Sequence, residues 1–220
     1  MKKYIPILEK MPLFYGITDE GYTHILHCLE AFEISVPKGQ VLHRTQTQVE
    51  YGVIILKGAL HEILPNLNGT EHCIREYSVG ELIGGSYACL PLEEVPVQIQ
   101  AVQDSTLLCV RLSNLLKDSS IGCKYASQIT ANLLRHVSCS NITQVKKIHI
   151  LTQNKIRNKL LMYLESIDAD KKSTSIHFSR QKLADYLGVE RSALCREMSR
   201  MQQEGMITYN KNTIKIVTAS

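Results

Sequence analysis

The clearest hydrophobic pattern in the chain lies between residues 178 and 206. Leu183 and Leu187 lie one helical turn apart, and Gly188 follows them. A second apolar stripe follows at helical spacing: Leu194, Met198 and Met201. This pattern predicts two short helices joined by a tight turn, with Ser179 as the N-cap of the first helix and Gly188 as its left-handed end.

An alternating pattern follows directly after the second helix. Gly205 ends the helix, residues 206–209 alternate as a strand, residues 210–212 are turn material and residues 213–217 alternate back. A β-hairpin after two such helices is typical of a winged helix–turn–helix. The alternative is an ordinary helical pair with a hairpin that caps its core.

The polar residues of this segment are typical of a nucleic-acid surface. The free face of the second helix is predicted to read bases in a major groove, through Arg191, Ser192, Cys195 and Arg196. The start of the first helix and the hairpin tip are predicted to hold phosphates, through Ser179, Arg180, Gln181, Lys211 and Asn212. The alternative for the helix face is a solvated surface.

The first half of the chain has a different pattern. It opens with helical material in which Thr18 is a predicted N-cap, and short strands at roughly 8–12-residue spacing then run from Phe32 to about Leu112, with a hairpin turn at residues 67–70. This spacing predicts an antiparallel barrel or jelly roll. His24 and His27 could bind a metal or haem, although surface histidines are the more ordinary interpretation.

A long helix is predicted between the two halves, from about Ile121 to His149. Its apolar positions keep coiled-coil-like spacing and predict a dimer seam: Ala126, Ile129, Leu133 and Val137. Thr152 is predicted to cap a further helix that carries apolar residues up to Ile167, and residues 168–175 are predicted to be a charged loop.

Composition narrows the class of protein. The 220 residues can fold as two domains, and they include neither a long apolar run nor a signal-peptide pattern, so a cytoplasmic protein with no membrane partner is expected. Seven scattered cysteines without a C-x-x-C pair favour reduced thiols over disulfides or a zinc site. Residues 141–220 hold 14 basic and 7 acidic residues, whereas residues 1–140 hold 11 basic and 14 acidic residues. This difference favours a nucleic-acid-binding C-terminal part.

The order of GVIILKGAL, NGTE and YSVGELIGG resembles the cyclic-nucleotide-binding β-roll. With the winged helix–turn–helix, the chain resembles the CRP/FNR family of bacterial transcription regulators. The resemblance implies an α+β fold with a β-roll (1–120), a dimerisation helix (121–149) and a DNA-binding domain (150–220). It also implies a homodimer on palindromic double-stranded DNA, RNA polymerase as a partner and a small-molecule effector.

The resemblance places an effector pocket in the roll and beside the long helix: Gly80, Glu81, Gly84, Gly85, Ser86, Val95, Val97, Ser140 and Asn141. In cAMP-binding relatives a Gly-Glu pair holds the ribose, and a later Arg-Ser pair holds the phosphate. Gly80 and Glu81 are present here, but the later segment is Glu93-Glu94-Val95-Pro96-Val97. A buried phosphate without an arginine is strongly disfavoured, so cAMP is not the expected effector.

Other sensors and functions remain as alternatives. An iron–sulfur cluster is not expected, because no cysteine precedes Cys28. Haem could bind at His61, His72, Cys73 or Cys89, and thiol redox sensing could use Cys89 or Cys139. A regulator that binds DNA without an effector is a further possibility. An enzyme is not expected, since no cupin metal spacing, catalytic serine motif or P-loop occurs.

Overall fold

The structure is a computed structural model that describes residues 2–45, 47–65, 71–89, 95–116, 123–171, 176–177, 179–210 and 213–217. The described chain forms two compact units, residues 1–139 and 140–220, and the boundary between them falls inside the long helix. The predicted hairpin turn at 67–70 and the residues Glu93, Glu94, Lys211 and Asn212 lie outside the described residues.

The N-terminal unit is built on two four-stranded antiparallel sheets. The strands are β1 Phe32–Val36, β2 Val41–His43, β3 Gly52–Lys57, β4 Leu60–Pro65, β5 Glu71–Tyr77, β6 Leu82–Ile83, β7 Gln98–Ala101 and β8 Ser105–Val110. One sheet has the order β1-β8-β3-β6 and the other β2-β7-β4-β5, so strands distant in sequence pair in both. The predicted β-roll is therefore confirmed.

The core of this unit forms because β3 is apolar on both faces. Ile54 packs with the N-terminal helices α1 Ile5–Leu8 and α2 Asp19–Cys28, whereas Val53 and Ile55 pack inside the roll. A strand buried on both faces reads as a continuous hydrophobic run, which is the pattern of GVIIL in the sequence. The two-residue strand β6 is too short to leave such a pattern.

The long helix α3 spans Ala126–Leu151 and begins five residues later than predicted. The predicted dimer seam is wrong, because Ala126, Ile129 and Leu133 are buried in the core of their own unit and Val137 packs against that core. Helical spacing identifies a buried face, but it does not say which partner buries it. In the part of the chain that the structure describes, no helix combines the length and apolar character that crossing a membrane requires.

Asn132 is a buried polar residue of α3 with only 2% of its surface exposed. Its amide nitrogen Nδ2 donates to the carbonyl oxygens of Leu13 at 2.9 Å and Tyr15 at 2.8 Å, and Gln128 Nε2 donates to its Oδ1 at 3.3 Å. These bonds satisfy two backbone carbonyls of the short 3₁₀ segment Pro12–Phe14 and its flank. Asn132 therefore fastens the N-terminal segment to α3.

The C-terminal unit holds three helices and a three-stranded sheet. The elements are α4 Ile156–Lys171, β9 Ile176–His177, α5 Arg180–Leu187, α6 Arg191–Gln203, β10 Ile207–Asn210 and β11 Thr213–Ile216. β10 pairs antiparallel with β11, which confirms the hairpin, and β9 adds an unpredicted third strand on the far side of β11. The predicted loop at 168–175 is wrong at its start, because α4 continues to Lys171.

Three predicted N-caps differ from the structure in where their hydroxyl groups bond. Thr152 Oγ1 donates back to the carbonyl of His149 at 2.9 Å and so closes α3, while α4 begins later at Ile156. Thr18 and Ser179 occupy the N-cap positions of α2 and α5, but neither side chain makes a capping hydrogen bond. Thr18 Oγ1 instead bonds to the hydroxyl of Tyr125 at 2.9 Å.

Candidate functional site

The turn between α5 and α6 sets the geometry of the candidate nucleic-acid surface. Gly188 adopts φ 61° and ψ 47°, a left-handed conformation that glycine enters without a steric penalty. The amide of Val189 donates to the carbonyl of Ala184 at 3.0 Å and closes the turn. The core below the turn is fully buried, as predicted: Leu183, Leu187, Leu194, Met198 and Met201.

The opposite face of α6 is largely exposed to solvent in the single chain. Arg191, Ser192 and Arg196 are exposed, and Cys195 is half-buried. All four lie on one side of a helix whose other side is locked in the core, so rigid packing holds two guanidinium groups at the surface. Such groups can each donate two hydrogen bonds to O6 and N7 of a guanine. The structure thus gathers all four predicted base-reading residues on one helix.

Arg180 connects three elements beside this face. Its Nη1 donates to Cys195 Sγ at 3.6 Å, and its guanidinium lies 5.1 Å from the centre of the Tyr209 ring in the hairpin. The Tyr209 hydroxyl is also 3.2 Å from Ser199 Oγ on α6. Ser179 and Gln181 are exposed next to Arg180, and Gln181 Nε2 donates to Asp185 at 2.8 Å. Arg180 is therefore ordered by contacts with α6 and the hairpin.

Arg157 holds α6 against α4, a role that sequence reasoning missed. Its Nε lies 2.8 Å from Glu197 Oε1, and its Nη1 lies 2.7 Å from Glu204 Oε2. The carboxylates of Glu204 and then Glu197 accept hydrogen bonds from the Arg157 guanidinium, which raises the pKa of Arg157. The exposed face of α6 is thus fixed in orientation by a forked ion pair as well as by its apolar core.

The predicted effector pocket is nearly closed. Gly84, Val95 and Val97 line a cavity of about 10 Å³ inside the roll, together with His43, Glu62 and Tyr87. A cavity of this size admits about one water molecule. Gly85 is buried, whereas Ser86 is exposed. A larger apolar groove of about 400 Å³ lies between α1 and α2, beside Tyr22, Leu26 and His27.

Glu81 is already occupied by neighbours in its own chain. Its Oε2 accepts hydrogen bonds from the Ser78 amide at 2.7 Å and the Ser78 hydroxyl at 3.0 Å, and its Oε1 lies 3.3 Å from Arg75 Nη2. Gly80, with φ 85°, forms the turn before it. Burial, and then the charge of Arg75, lower the pKa of His136, which approaches this pair from α3.

The electrostatics of the cavity disfavour an anion. Burial lowers the pKa of His43, so this imidazole is neutral at pH 7 and its buried Nε2 has no hydrogen-bond partner. Tyr77 donates to Glu62 Oε2 at 3.0 Å, and burial raises the pKa of Tyr77. None of the described residues that line the cavity is a lysine or an arginine. The cavity offers hydrogen bonds but no cation to pair a phosphate.

The remaining predicted pocket and sensor residues are dispersed. Ser140 and Asn141 belong to the C-terminal unit, where Asn141 is exposed on α3. His61 Nε2 lies 3.8 Å from Glu76 Oε2. Burial raises the pKa of the Cys89 thiol, and a higher pKa lowers the reactivity of that thiol. Cys139 is exposed.

The structure brings together a group of potential metal ligands that the sequence did not predict: His24, Cys28 and Cys123. Their potential metal-ligand atoms lie within 4.8 Å of one another. Burial, and then a hydrogen bond with Cys123, raise the pKa of Cys28 to about 11. Searching the sequence for closely spaced cysteine pairs misses this group because Cys123 is far from Cys28 in sequence.

Comparison with known proteins agrees with this architecture. Residues 158–219 match the family model described as a Crp-like helix-turn-helix domain. A search of curated protein sequences finds no match. Solved structures show the same fold over nearly the whole chain.

Three of these structures are representative. The c-di-GMP-responsive regulator CLP of Xanthomonas campestris has a TM-score of 0.65 at 15% identity, covering 92% of this chain and 100% of its own. The catabolite activator protein of Thermus thermophilus has a TM-score of 0.51 at 19% identity, covering 94% of this chain and 93% of its own. A protein from Eubacterium rectale assigned to the CRP/FNR family has a TM-score of 0.53 at 17% identity, covering 94% of each chain.

The C-terminal unit therefore contains a Crp-like helix–turn–helix domain. The chain as a whole has the fold of CRP/FNR-type regulators, with an N-terminal β-roll, a long helix and a C-terminal winged helix–turn–helix.

Proposed function

We propose that the protein is a DNA-binding transcription regulator that acts as a homodimer in the cytoplasm. The observation that carries this proposal is the outward face of α6, where Arg191, Ser192 and Arg196 are exposed on a helix fixed by its buried core. The basic excess of residues 141–220 supplies the general attraction to phosphate. A promoter site and RNA polymerase are the corresponding partners.

The exposed face of α3 supports the homodimer. Five residues at alternating spacings of four and three are exposed in the single chain: Leu134, Ser138, Asn141, Val145 and Ile148. Leu134, Val145 and Ile148 are 67%, 58% and 59% exposed, which is high for large apolar side chains. This spacing is that of a coiled-coil seam, and a parallel pair of helices would give the two-fold symmetry that a palindromic site matches.

Sedimentation tests the seam directly. Val145→Glu places a charge in the proposed interface and is expected to yield monomers at concentrations where the wild type is dimeric. Lys146→Glu introduces the same side chain about 100° round the helix, outside the seam, and is expected to leave the dimer intact. Equal dissociation of both variants, or of neither, would exclude this interface.

Selection of binding sites from random duplex DNA, followed by anisotropy titration, tests the DNA-binding face. Arg196→Ala is expected to cost about 1–3 kcal/mol on the selected site and to relax the preference at one base pair of each half-site. Lys57→Ala removes the same charge from an exposed position in the N-terminal unit and serves as the control. Unchanged affinity and preference in Arg196→Ala would refute the assigned face.

The effector is proposed to be a small molecule other than cAMP. The lack of a cation in the cavity and the occupied Glu81 support this choice, since none of the described residues that line the cavity is the arginine that a cyclic phosphate needs. Calorimetry with cAMP and cGMP tests this proposal. The dissociation constant of either nucleotide is expected to be above about 100 μM. Micromolar binding that also strengthens operator binding would overturn the proposal.

Two alternatives have separate tests. The cavity of about 10 Å³ also fits a regulator whose roll is purely structural and whose DNA affinity needs no effector. That alternative would be favoured if the affinity for the operator stays the same in the presence of every cell-extract fraction and metabolite pool that is added. Haem sensing would show a Soret band after reconstitution, and His61→Ala should then abolish it.

A further inference from the structure

The group formed by His24, Cys28 and Cys123 has the chemistry of a metal site. His24 and Cys28 are four residues apart on α2, so their side chains project from the same face of that helix. Cys123 lies three residues before α3 begins at Ala126 and brings a second sulfur to this face. Among the residues that the structure describes, no other group of three potential ligands comes together.

The spacing of the ligand atoms is close to that of a tetrahedral zinc site. Zinc binds thiolate sulfur at about 2.3 Å and imidazole nitrogen at about 2.0–2.1 Å, which places neighbouring ligand atoms roughly 3.5–3.8 Å apart. The three atoms here lie within 4.8 Å of one another without an ion. Small rotations about the dihedral angles of these side chains can shorten the distances between the ligand atoms by about 1 Å.

The surroundings of the group support its side chains on one side and leave it open to solvent on the other. The Tyr125 ring lies against the His24 ring, with centroids 6.2 Å apart at 63°, and the Tyr125 hydroxyl bonds to Thr18 Oγ1 at 2.9 Å. Cys28 and Cys123 are half-buried against the apolar core, whereas His24 is exposed. An ion can therefore reach the sulfurs from solvent on the His24 side.

We propose that His24, Cys28 and Cys123 bind one zinc ion, with the fourth coordination position open to water or to an added ligand. Two sulfur ligands and one imidazole favour zinc over magnesium or calcium, which prefer oxygen. Both thiols lose their protons to solvent on binding, so the two thiolates balance the charge of the ion. The bound ion would link α2 to the segment that enters α3.

Metal loading of the full-length, tag-free protein tests the proposal. Reduced protein is titrated with zinc chloride against a chromophoric chelator, and with cobalt(II) as a spectroscopic substitute. The expected result is one ion per chain, with a sulfur-to-cobalt charge-transfer band and the visible bands of a tetrahedral ion. Cys123→Ser should weaken the charge-transfer band, and His24→Gln should lower zinc affinity at least 10-fold.

Matched controls distinguish the site from adventitious binding. His27→Gln changes the neighbouring histidine of α2, and Cys139→Ser changes an exposed thiol of the same unit. Both should retain the stoichiometry and the cobalt bands of the wild type. His24 is exposed, so His24→Gln is expected to keep the fold, and a far-ultraviolet circular dichroism spectrum checks this.

Any of three results in the metal-loading experiment would overturn the proposal. They are the absence of a retained ion, a cobalt spectrum that His24→Gln and Cys123→Ser leave unchanged, and equal losses in the control variants. A Cys28–Cys123 disulfide in protein purified without reductant, together with no zinc binding after reduction, would also overturn it and would assign the two sulfurs to redox chemistry.

Discussion

Replacement of the buried Asn132 by aspartate gives a sharp test of the N-terminal packing. Asn132 Nδ2 donates to two carbonyl oxygens at 2.9 and 2.8 Å. In Asn132→Asp the new oxygen would face both carbonyls, so the ionised form cannot donate to either. The folded protein is expected to respond by keeping the introduced carboxyl protonated, which restores one of the two hydrogen bonds.

The size of the effect follows from the cost of protonation. An unfolded aspartate has a pKa of about 3.9, so protonating it at pH 7 costs about 4 kcal/mol at about 1.4 kcal/mol per pH unit. The lost second hydrogen bond adds about 1 kcal/mol. Asn132→Asp is therefore expected to lower the free energy of unfolding by about 4–5 kcal/mol at pH 7, a large part of the 5–15 kcal/mol that a typical protein has.

The pH dependence gives the test its direction. The carboxyl has a higher pKa in the folded than in the unfolded state, so the folded state binds more protons and the variant loses stability as pH rises above about 3.9. Relative to the wild type, the deficit should shrink to about 2–3 kcal/mol at pH 5. Urea unfolding at both pH values, followed by circular dichroism, measures it.

The control for this experiment is Asn154→Asp, which makes the same chemical change at an exposed position. It should alter stability by no more than about 0.5 kcal/mol at either pH. A deficit in Asn132→Asp that is equal at pH 5 and pH 7, or no deficit at pH 7, would refute the assigned hydrogen bonds.

Three further predictions concern other parts of the chain. Gly188→Ala should lower the stability of the C-terminal unit by about 1 kcal/mol in thermal unfolding, because alanine is strained at φ 61° while its Cβ would meet Leu151 only at an ordinary 3.4 Å. Iodoacetamide at pH 8 should modify the exposed Cys139 much faster than Cys28, whose pKa is raised to about 11, as peptide mass mapping will show. Arg180→Ala should weaken DNA binding equally on all sequences and lower the salt slope by about one, measured by titration at several salt concentrations.

The helix–turn–helix could be predicted from sequence because its determinants are local. Leu183 and Leu187 before Gly188, and Leu194, Met198 and Met201 after it, fix both helices and the turn within about 20 residues. The strands of the roll were also predictable, since each long strand has its own apolar pattern. Short elements such as β6 and β9 carry too few residues to show one.

What the sequence could not supply is the identity of the partner that covers each surface. Ala126, Ile129 and Leu133 have the spacing of a dimer seam, yet the core of their own unit buries them, and the seam proposed above starts instead at the exposed Leu134. The hydroxyl of Thr152 could cap the helix after it or close the helix before it, and only the structure shows the latter. The His24, Cys28 and Cys123 group likewise depends on a long-range contact.

The pairing of β1 with β8 has a consequence for how the protein is made. Phe32 pairs with Cys109, so the first strand of this sheet must wait for the last one to leave the ribosome. At roughly 5–20 residues per second, this delay is about 4–15 s. During that time the apolar strand β3, which pairs with both β8 and β6, lacks its β8 neighbour and exposes an edge that other chains can join. The N-terminal unit therefore has a period of aggregation risk during synthesis that ends only when β8 closes the sheet.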